Sequence, residues 1–541
     1  MDLKSTSSAP AWVWVLCTGV LGLLTGFITL TVWHHTGGHW SYPLDDTYIH
    51  MALARNLAFF HNWGINHQDF GAASSSPLYT LLLAGLFKAF TIHICIPLLV
   101  NLVFAVVLLR VLQVALHREG LSALASLWVL LAVIVLTPLP ILVVSGMEHV
   151  LQCLFSFLFV YSFARWMGSL TAPFSGPAAP AAPMPRFLPV WAFLMVATRY
   201  ECLFLLGVAG LVLLFRRRLG PALALGFSGL LPVVLFGLYS MSKGSYFLPN
   251  SILLKSGTEQ GAGSFVNGIL VDKLTLSKQG ITGIATQRLL FILPLVYLLF
   301  RQACKTTPRY GYFLLLCLGG TFLHLCLAAT GWFYRYEAYL VLNATMITGI
   351  LVLKYGRSAW NQAPALNRLA VVFLSLYLVF PLFLRSSAAF SKAPRACLNI
   401  FEQQYQMGLF LQRQDDHAAV GANDIGAISF LSDIHTLDLW GLGNIDVARS
   451  KRGHYWTPAF LDSLSRVRRV RVAVVYDSWF DPALLARWKR VGSWTIPQNV
   501  ICGDSTVSFY AVDSTFSDSL RAQLHSFGPD LPSEVKTTYY P

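Results

Sequence analysis

Charge is what this chain has least of. Asp, Glu, Lys and Arg make up 12% of its 541 residues, about half the roughly 25% of an ordinary soluble protein. That scarcity excludes a soluble multidomain enzyme and a disordered polymer. Acids are scarcer than bases, 25 against 39, for a net +14. The nine cysteines are scattered without a CxxC pair or a metal-ligand spacing, which excludes zinc ribbons and dithiol redox motifs. No internal repeat is present. What the chain does have is apolar: 55% hydrophobic, 13% aromatic and a mean hydropathy of +0.58. Gathered into many long runs, that composition describes a polytopic α-helical membrane protein.

The basic excess is unevenly placed. Residues 387–541 hold 15 basic and 15 acidic side chains, so the whole +14 lies in residues 1–386. This division predicts a membrane domain, 1–386, and a soluble domain, 387–541. A basic membrane part is explained by inner-face loops rather than by a nucleic-acid partner. About eleven spans are expected, near 11–33, 95–116, 121–139, 148–165, 187–200, 202–215, 220–240, 285–300, 310–329, 337–353 and 367–385. The first is too long for a signal-peptide core and lacks an A-x-A exit, so it reads as uncleaved. The run 78–92 is too short to decide by length. If it stays at the surface, Arg110, Arg118, Arg165, Arg216, Arg217, Arg218, Arg301 and Lys354 share one face, with Glu119 as the acid among them. The positive-inside rule selects that reading. It puts the N-terminus inside, and the polar loop 34–94 and the tail outside.

The loop around SGPAAPAAPMP reads as a linker. The tail changes pattern to mixed α/β. HTLDLWG, RVAVVYD and VSFYAV read as short strands, and ALLARWKR as a helix. Cys397 and Cys502 are the tail's two cysteines, and an oxidising compartment would permit, without requiring, their pairing.

With this topology the ionisable oddities collect on the outer face: Asp45 and Asp46, Glu148, Arg199 with Glu201, Lys255, and Arg335 with Glu337. Ionisable groups at a membrane boundary are costly unless paired or functional. Each also has a plain reading. One Asp of the pair can cap the helix of the amphipathic run TYIHMALARNLAFF. Arg55 can neutralise the carboxylates. Arg199 with Glu201 can be a structural ion pair, and Lys255 can be solvated. Two adjacent carboxylates exceed what a cap needs. They suit a general base with a neighbour that orients it or raises its pKa. They also suit a divalent ion, and metal dependence stays open. Carboxylate and cations together fit sugar transfer from a lipid-linked phosphate donor. The base takes a proton from an acceptor hydroxyl, and Arg or Lys stabilises the departing phosphate.

The run DDTYIHMALARNLAFFHNWGINHQDFGAASSSPLYTLLLAGL resembles the first outer loop of bacterial GT-C glycosyltransferases, polytopic enzymes that use polyprenyl-phosphate sugars. SGME, TRYE, LPNSILLK and NDIGAISFLSDIHTLDLWGL are similar to elements of the branch that includes the mycobacterial-type arabinofuranosyltransferases. The resemblance implies Asp45 as catalytic base and Asp46 as its partner or substitute. It implies His50, Arg55, Glu148, Arg199, Glu201, Lys255, Arg335 and Glu337 as substrate-binding candidates. Many relatives carry an Arg where this chain has Leu53, which shifts weight for phosphate binding to Lys255, Arg199 and Arg335. The expected enzyme is an inverting transferase of the bacterial inner membrane, with its site on the periplasmic face and an envelope glycan, lipid or protein as acceptor. A transporter or flippase of lipid-linked glycans is the alternative class, and a glycan-binding scaffold a third. Sugar and acceptor are not legible.

Overall fold

A computed structural model describes residues 9–171, 182–254, 281–413 and 419–541. Lys255 lies outside the described residues, as does most of the Ala/Pro linker. Helices form at all eleven predicted apolar runs, including Ala123–Leu136, Leu203–Phe215 and Ile281–Leu299. Among the described residues seven helices are long and apolar enough to cross a membrane: Ala11–His35, Ile96–Arg118, His149–Thr171, Leu219–Ser242, Pro308–Leu327, Ala338–Gln362 and Ala365–Gln412.

Ala11–His35 shows how such a helix is built. Val13, Cys17, Leu21, Thr25, Ile28 and Val32 are buried at helical spacing. Leu23, Phe27 and Leu30 are each about 70% exposed on the outside. So much exposed apolar surface has no counterpart on a water-facing helix and reads as the lipid face. Pro77–Phe90 has 14 residues and starts with its proline, as expected from SSSPLY. At about 1.5 Å per residue it reaches about 21 Å, short of the roughly 30 Å hydrocarbon layer. The charges that interrupt 187–215 break it into Leu188–Thr198 and Leu203–Phe215, joined through Arg199 and the turn Tyr200–Cys202.

Asp45–Phe60 departs from its amphipathic reading. Ten of its sixteen residues are buried, on every face. The reason is tertiary: Tyr48, Met51 and Ala52 pack in one core with Tyr79, Phe87 and Phe430. The helix is held between Pro77–Phe90 on one side and Gly426–Leu431 of the tail on the other.

The last membrane helix runs on into the tail. Ala365–Ile400 continues through a π turn, Phe401–Tyr405, into Gln406–Gln412. Residue 387 therefore falls inside a continuous helix. Its end carries Phe410 into the tail's core, with ring centroids 5.5–5.6 Å from Trp494, Phe509 and Phe527. The tail's sheet has strands β1 Ala419–Ala422, β2 His435–Asp438, β3 Val470–Val475, β4 Lys489–Thr495, β5 Thr506–Ala511 and β6 Lys536–Tyr539. Their order is β2-β1-β3-β5-β4-β6. β1 pairs in parallel with β2 and β3, and the remaining pairs are antiparallel. The three predicted strands are present. The predicted helix ALLARWKR is not. It is one turn, Pro482–Leu485, and Lys489 and Arg490 open β4. Pairing with β5 and β6 on both edges overrides local helix propensity there. Cys397 and Cys502 are both free thiols.

Candidate active site

Three turns bring the predicted charges together. The first is the start of helix Asp45–Phe60. The second is the SGME turn. Gly146 has φ +65°, and a Cβ there would lie 2.4 Å from the Tyr42 ring and 2.8 Å from Thr47. Only glycine lets the turn close that tightly. Its carbonyls are fixed by Thr47 donating to Ser145 (2.7 Å), Tyr79 to Gly146 (2.7 Å) and Asn101 to Met147 (2.8 Å). The third is GWFYRYE, where Trp332, Phe333 and Tyr334 all have positive φ, 35°, 61° and 63°. A run of three such non-glycine residues is strained backbone, held here by its surroundings. Arg385, fully buried, donates to the Tyr334 carbonyl and pairs with Glu337. The Gly331 amide donates to Glu337 at 3.0 Å.

The result is a buried charge cluster. Arg199 Nη1 donates to Glu148 Oε1 (2.7 Å) and Ser75 Oγ (3.1 Å), and Nε donates to Glu201 Oε2 (3.0 Å). Arg335 pairs with Asp46. Both guanidinium groups lie over the Tyr336 ring, 5.5 and 5.0 Å from its centroid. His50 Nε2 is 3.4 Å from Glu148 Oε2, and its Nδ1 is 3.1 Å from Thr80 Oγ1. Burial lowers the His50 pKa and favours the neutral ring. Burial alone would raise the Glu148 carboxyl, but the Arg199 guanidinium that donates to it holds it below the usual carboxylate range.

Asp46, His50, Ser75, Arg199, Glu201 and Arg335 line one cavity of about 270 Å³. Its remaining wall is largely apolar, including Val233, Leu248, Ile252 and Leu327. The cavity thus sets two carboxylate-paired guanidinium groups, Arg199 and Arg335, beside an apolar wall.

Asp45 has a different environment. Its Oδ2 accepts from the Gly426 amide (2.7 Å) and its Oδ1 from Ala427 (2.8 Å). A Cβ at Gly426 would lie 2.1 Å from the Asp45 carbonyl oxygen, so the NDIGA glycine is what permits this approach. At the other end of helix Gly426–Leu431, Arg55 donates to the Ser429 (3.0 Å) and Phe430 (2.9 Å) carbonyls. Asp45 and Arg55 thus brace the two ends of one helix of the tail. Arg55 and Glu337 do not line the cavity. Desolvation and then Asp424 push the Asp45 carboxyl up to about 8, despite the two amide donors.

The two adjacent Asp side chains serve separate partners. Among the described residues no three His, Cys, Asp or Glu side chains form a group able to hold a metal ion. LPNS docks nearby: the Asn250 amide donates to Ala72 O (3.0 Å) and its Nδ2 to Leu442 O (3.3 Å). Sequence reasoning missed Ser75, Tyr336 and Asp424. The signal for Tyr336 was its position between Arg335 and Glu337. Nothing in one sequence singles out Ser75.

Fold and cavity together define a multi-pass helical membrane protein with the GT-C fold and a small C-terminal sheet domain. The chain is similar to ArnT from Cupriavidus metallidurans, in crystal structures bound to undecaprenyl phosphate and in the apo state. The TM-score is 0.51 for each, with 12% and 11% identity, covering 94% of this chain and 99% of ArnT. A domain of unknown function, DUF8728, matches residues 398–510. No curated protein matches the chain.

Proposed function

We propose that this chain is a glycosyltransferase that moves a sugar from a polyprenyl-phosphate donor to an acceptor hydroxyl on the periplasmic face of a bacterial inner membrane. The observation that carries the reading is the single cavity in which Asp46, Arg199 and Arg335 meet an apolar wall. ArnT, of similar fold, has been crystallised with undecaprenyl phosphate, which supports a lipid phosphate as the ligand class.

In this reading Asp46 is the general base rather than Asp45, because Asp46 faces the cavity while both Asp45 oxygens hold backbone amides. Asp46 takes the acceptor proton as the acceptor oxygen bonds to the anomeric carbon from the side opposite the phosphate. The bond to the phosphate oxygen breaks, and its electron pair leaves with the phosphate. Arg199 and Arg335 stabilise that charge, and Lys255 remains a phosphate-binding candidate on its motif. A single displacement inverts the anomeric centre. Membership of the arabinofuranosyltransferase branch, and with it pentose as the sugar, rests on the motif resemblance alone.

The test is purified protein in lipid nanodiscs with a panel of polyprenyl-phospho-hexoses and -pentoses and a membrane extract as acceptor. The expected result is transfer with release of polyprenyl phosphate from one donor. Absence of both transfer and polyprenyl-phosphate binding overturns the reading.

A further inference from the structure

Asp46 and Ile49 also line a second cavity, of about 70 Å³, which the donor chemistry leaves unused. It lies where three separate parts of the chain meet. Trp332 comes from the strained GWFYRYE turn, Gln404 from the π turn of the long helix, and Asn423, Asp424 and Trp479 from the tail. Asp46 and Ile49 thus line both cavities and Asp45 lines the second, and in-line displacement needs donor and acceptor to approach one carbon from opposite sides, with the base beside the acceptor.

The second cavity has the chemistry to read hydroxyls. Asp424 Oδ2 accepts from Gln404 Nε2 (2.8 Å) and the Tyr476 hydroxyl (2.7 Å). Oδ1 forms no hydrogen bond among the described residues. Beside it, Asn423 Oδ1 accepts from the Tyr476 amide at 2.9 Å, while its Nδ2 forms none among the described residues. A fixed acceptor and a fixed donor on neighbouring residues match the paired needs of adjacent hydroxyls. Two indoles supply flat apolar faces: Trp332 is 51% exposed, and Trp479 is half-buried with its ring centroid 4.6 Å from that of Trp440.

We propose that this cleft is the acceptor subsite and that it takes the hydroxyl-bearing end of a carbohydrate chain, with Asn423 and Asp424 holding hydroxyls and Trp332 and Trp479 stacking on the sugar face. The proposal rests on the glycosyl-transfer reading above and names its acceptor class. The NDIGA segment then has two tasks: Gly426 seats Asp45, and Asn423 and Asp424 face the acceptor.

The experiment is saturation-transfer NMR on the full chain in nanodiscs, with short hexose and pentose oligosaccharides as probes. Polyprenyl-phosphate binding is measured in parallel. Wild type is expected to contact at least one oligosaccharide. Trp332→Ala and Asp424→Asn are expected to weaken that contact tenfold or more while polyprenyl-phosphate binding stays unchanged. Trp332 is half exposed, so its variant keeps the fold, and retained lipid binding checks this for both. No oligosaccharide contact in wild type, or contact undiminished in both variants, overturns the acceptor site and leaves the lipid-phosphate reading standing. Oligosaccharide contact without any polyprenyl-phosphate binding overturns the transferase reading and leaves the glycan site standing.

Discussion

Asp45 and Asp46 are adjacent in the chain and opposite in circumstance. Which of them faces the cavity depends on Gly426, far away in the sequence, so one sequence cannot choose between them. The charges themselves were legible, because Arg199, Glu148 and Arg335 stand out at apolar boundaries where unpaired charge is costly. Their pairing was not: Arg335 meets Asp46 rather than its neighbour Glu337. Two predictions belong here. Arg199→Ala removes the partner of the fully buried Glu148, and breaking a buried pair costs about 3–5 kcal/mol. Thermal unfolding checks this, and a change below about 1 kcal/mol contradicts it. The second concerns pH. The Asp45 carboxyl titrates at its ordinary 3.8 when unfolded and at about 8 when folded. Between those values the folded chain binds the extra proton, so stability falls as pH rises from about 4 to about 8 and levels off above. Unfolding at pH 5 and pH 8.5 measures this loss, and Asp45→Asn is expected to flatten it. An unchanged slope in the variant excludes Asp45 as its source.

At the scale of elements, the chain reads well where a periodic apolar pattern is long and poorly where partners decide. The eleven apolar runs became helices because burial of a helical stripe and exposure of the rest to lipid both favour the same segment. Strands β1 and β6 escaped notice because each has four residues, and β4, with seven, because Lys489 and Arg490 carry helix-forming side chains. The helix Asp45–Phe60 was visible as a helix, but its burial on every face comes from the tail closing over it. The key contact in that closure is the seat of Asp45 on helix Gly426–Leu431. Gly426→Ala places a methyl 2.1 Å from a backbone oxygen, which is expected to cost about 1–3 kcal/mol and to speed limited proteolysis of the tail. Proteolysis at the wild-type rate would show that the seat is dispensable.

For the whole molecule, one continuous helix, Ala365–Gln412, links the membrane domain to the sheet. The sheet domain is thereby carried on that helix and closed over helix Asp45–Phe60 by Asp45 and Arg55. The balanced charge of the tail and the basic excess elsewhere are what the proposed topology, with the tail outside, requires. In a cysteine-free background, Tyr455→Cys on the exposed tail is expected to react with an impermeant maleimide in intact cells. Arg217→Cys, in the basic turn, is expected to react only after lysis. The reverse pattern would contradict the proposed topology and with it a site on the periplasmic face.

The central claim is that Asp46, not Asp45, takes the proton of the acceptor. The most direct measurement is kcat for sugar transfer in Asp46→Asn and Asp45→Asn, each with polyprenyl-phosphate affinity and folding measured beside it. The account predicts that Asp46→Asn loses about 10²–10⁴-fold in kcat with lipid binding and fold intact. It predicts that Asp45→Asn keeps substantial turnover and loses chiefly stability. Full turnover in Asp46→Asn, with abolition in a folded Asp45→Asn, would contradict it.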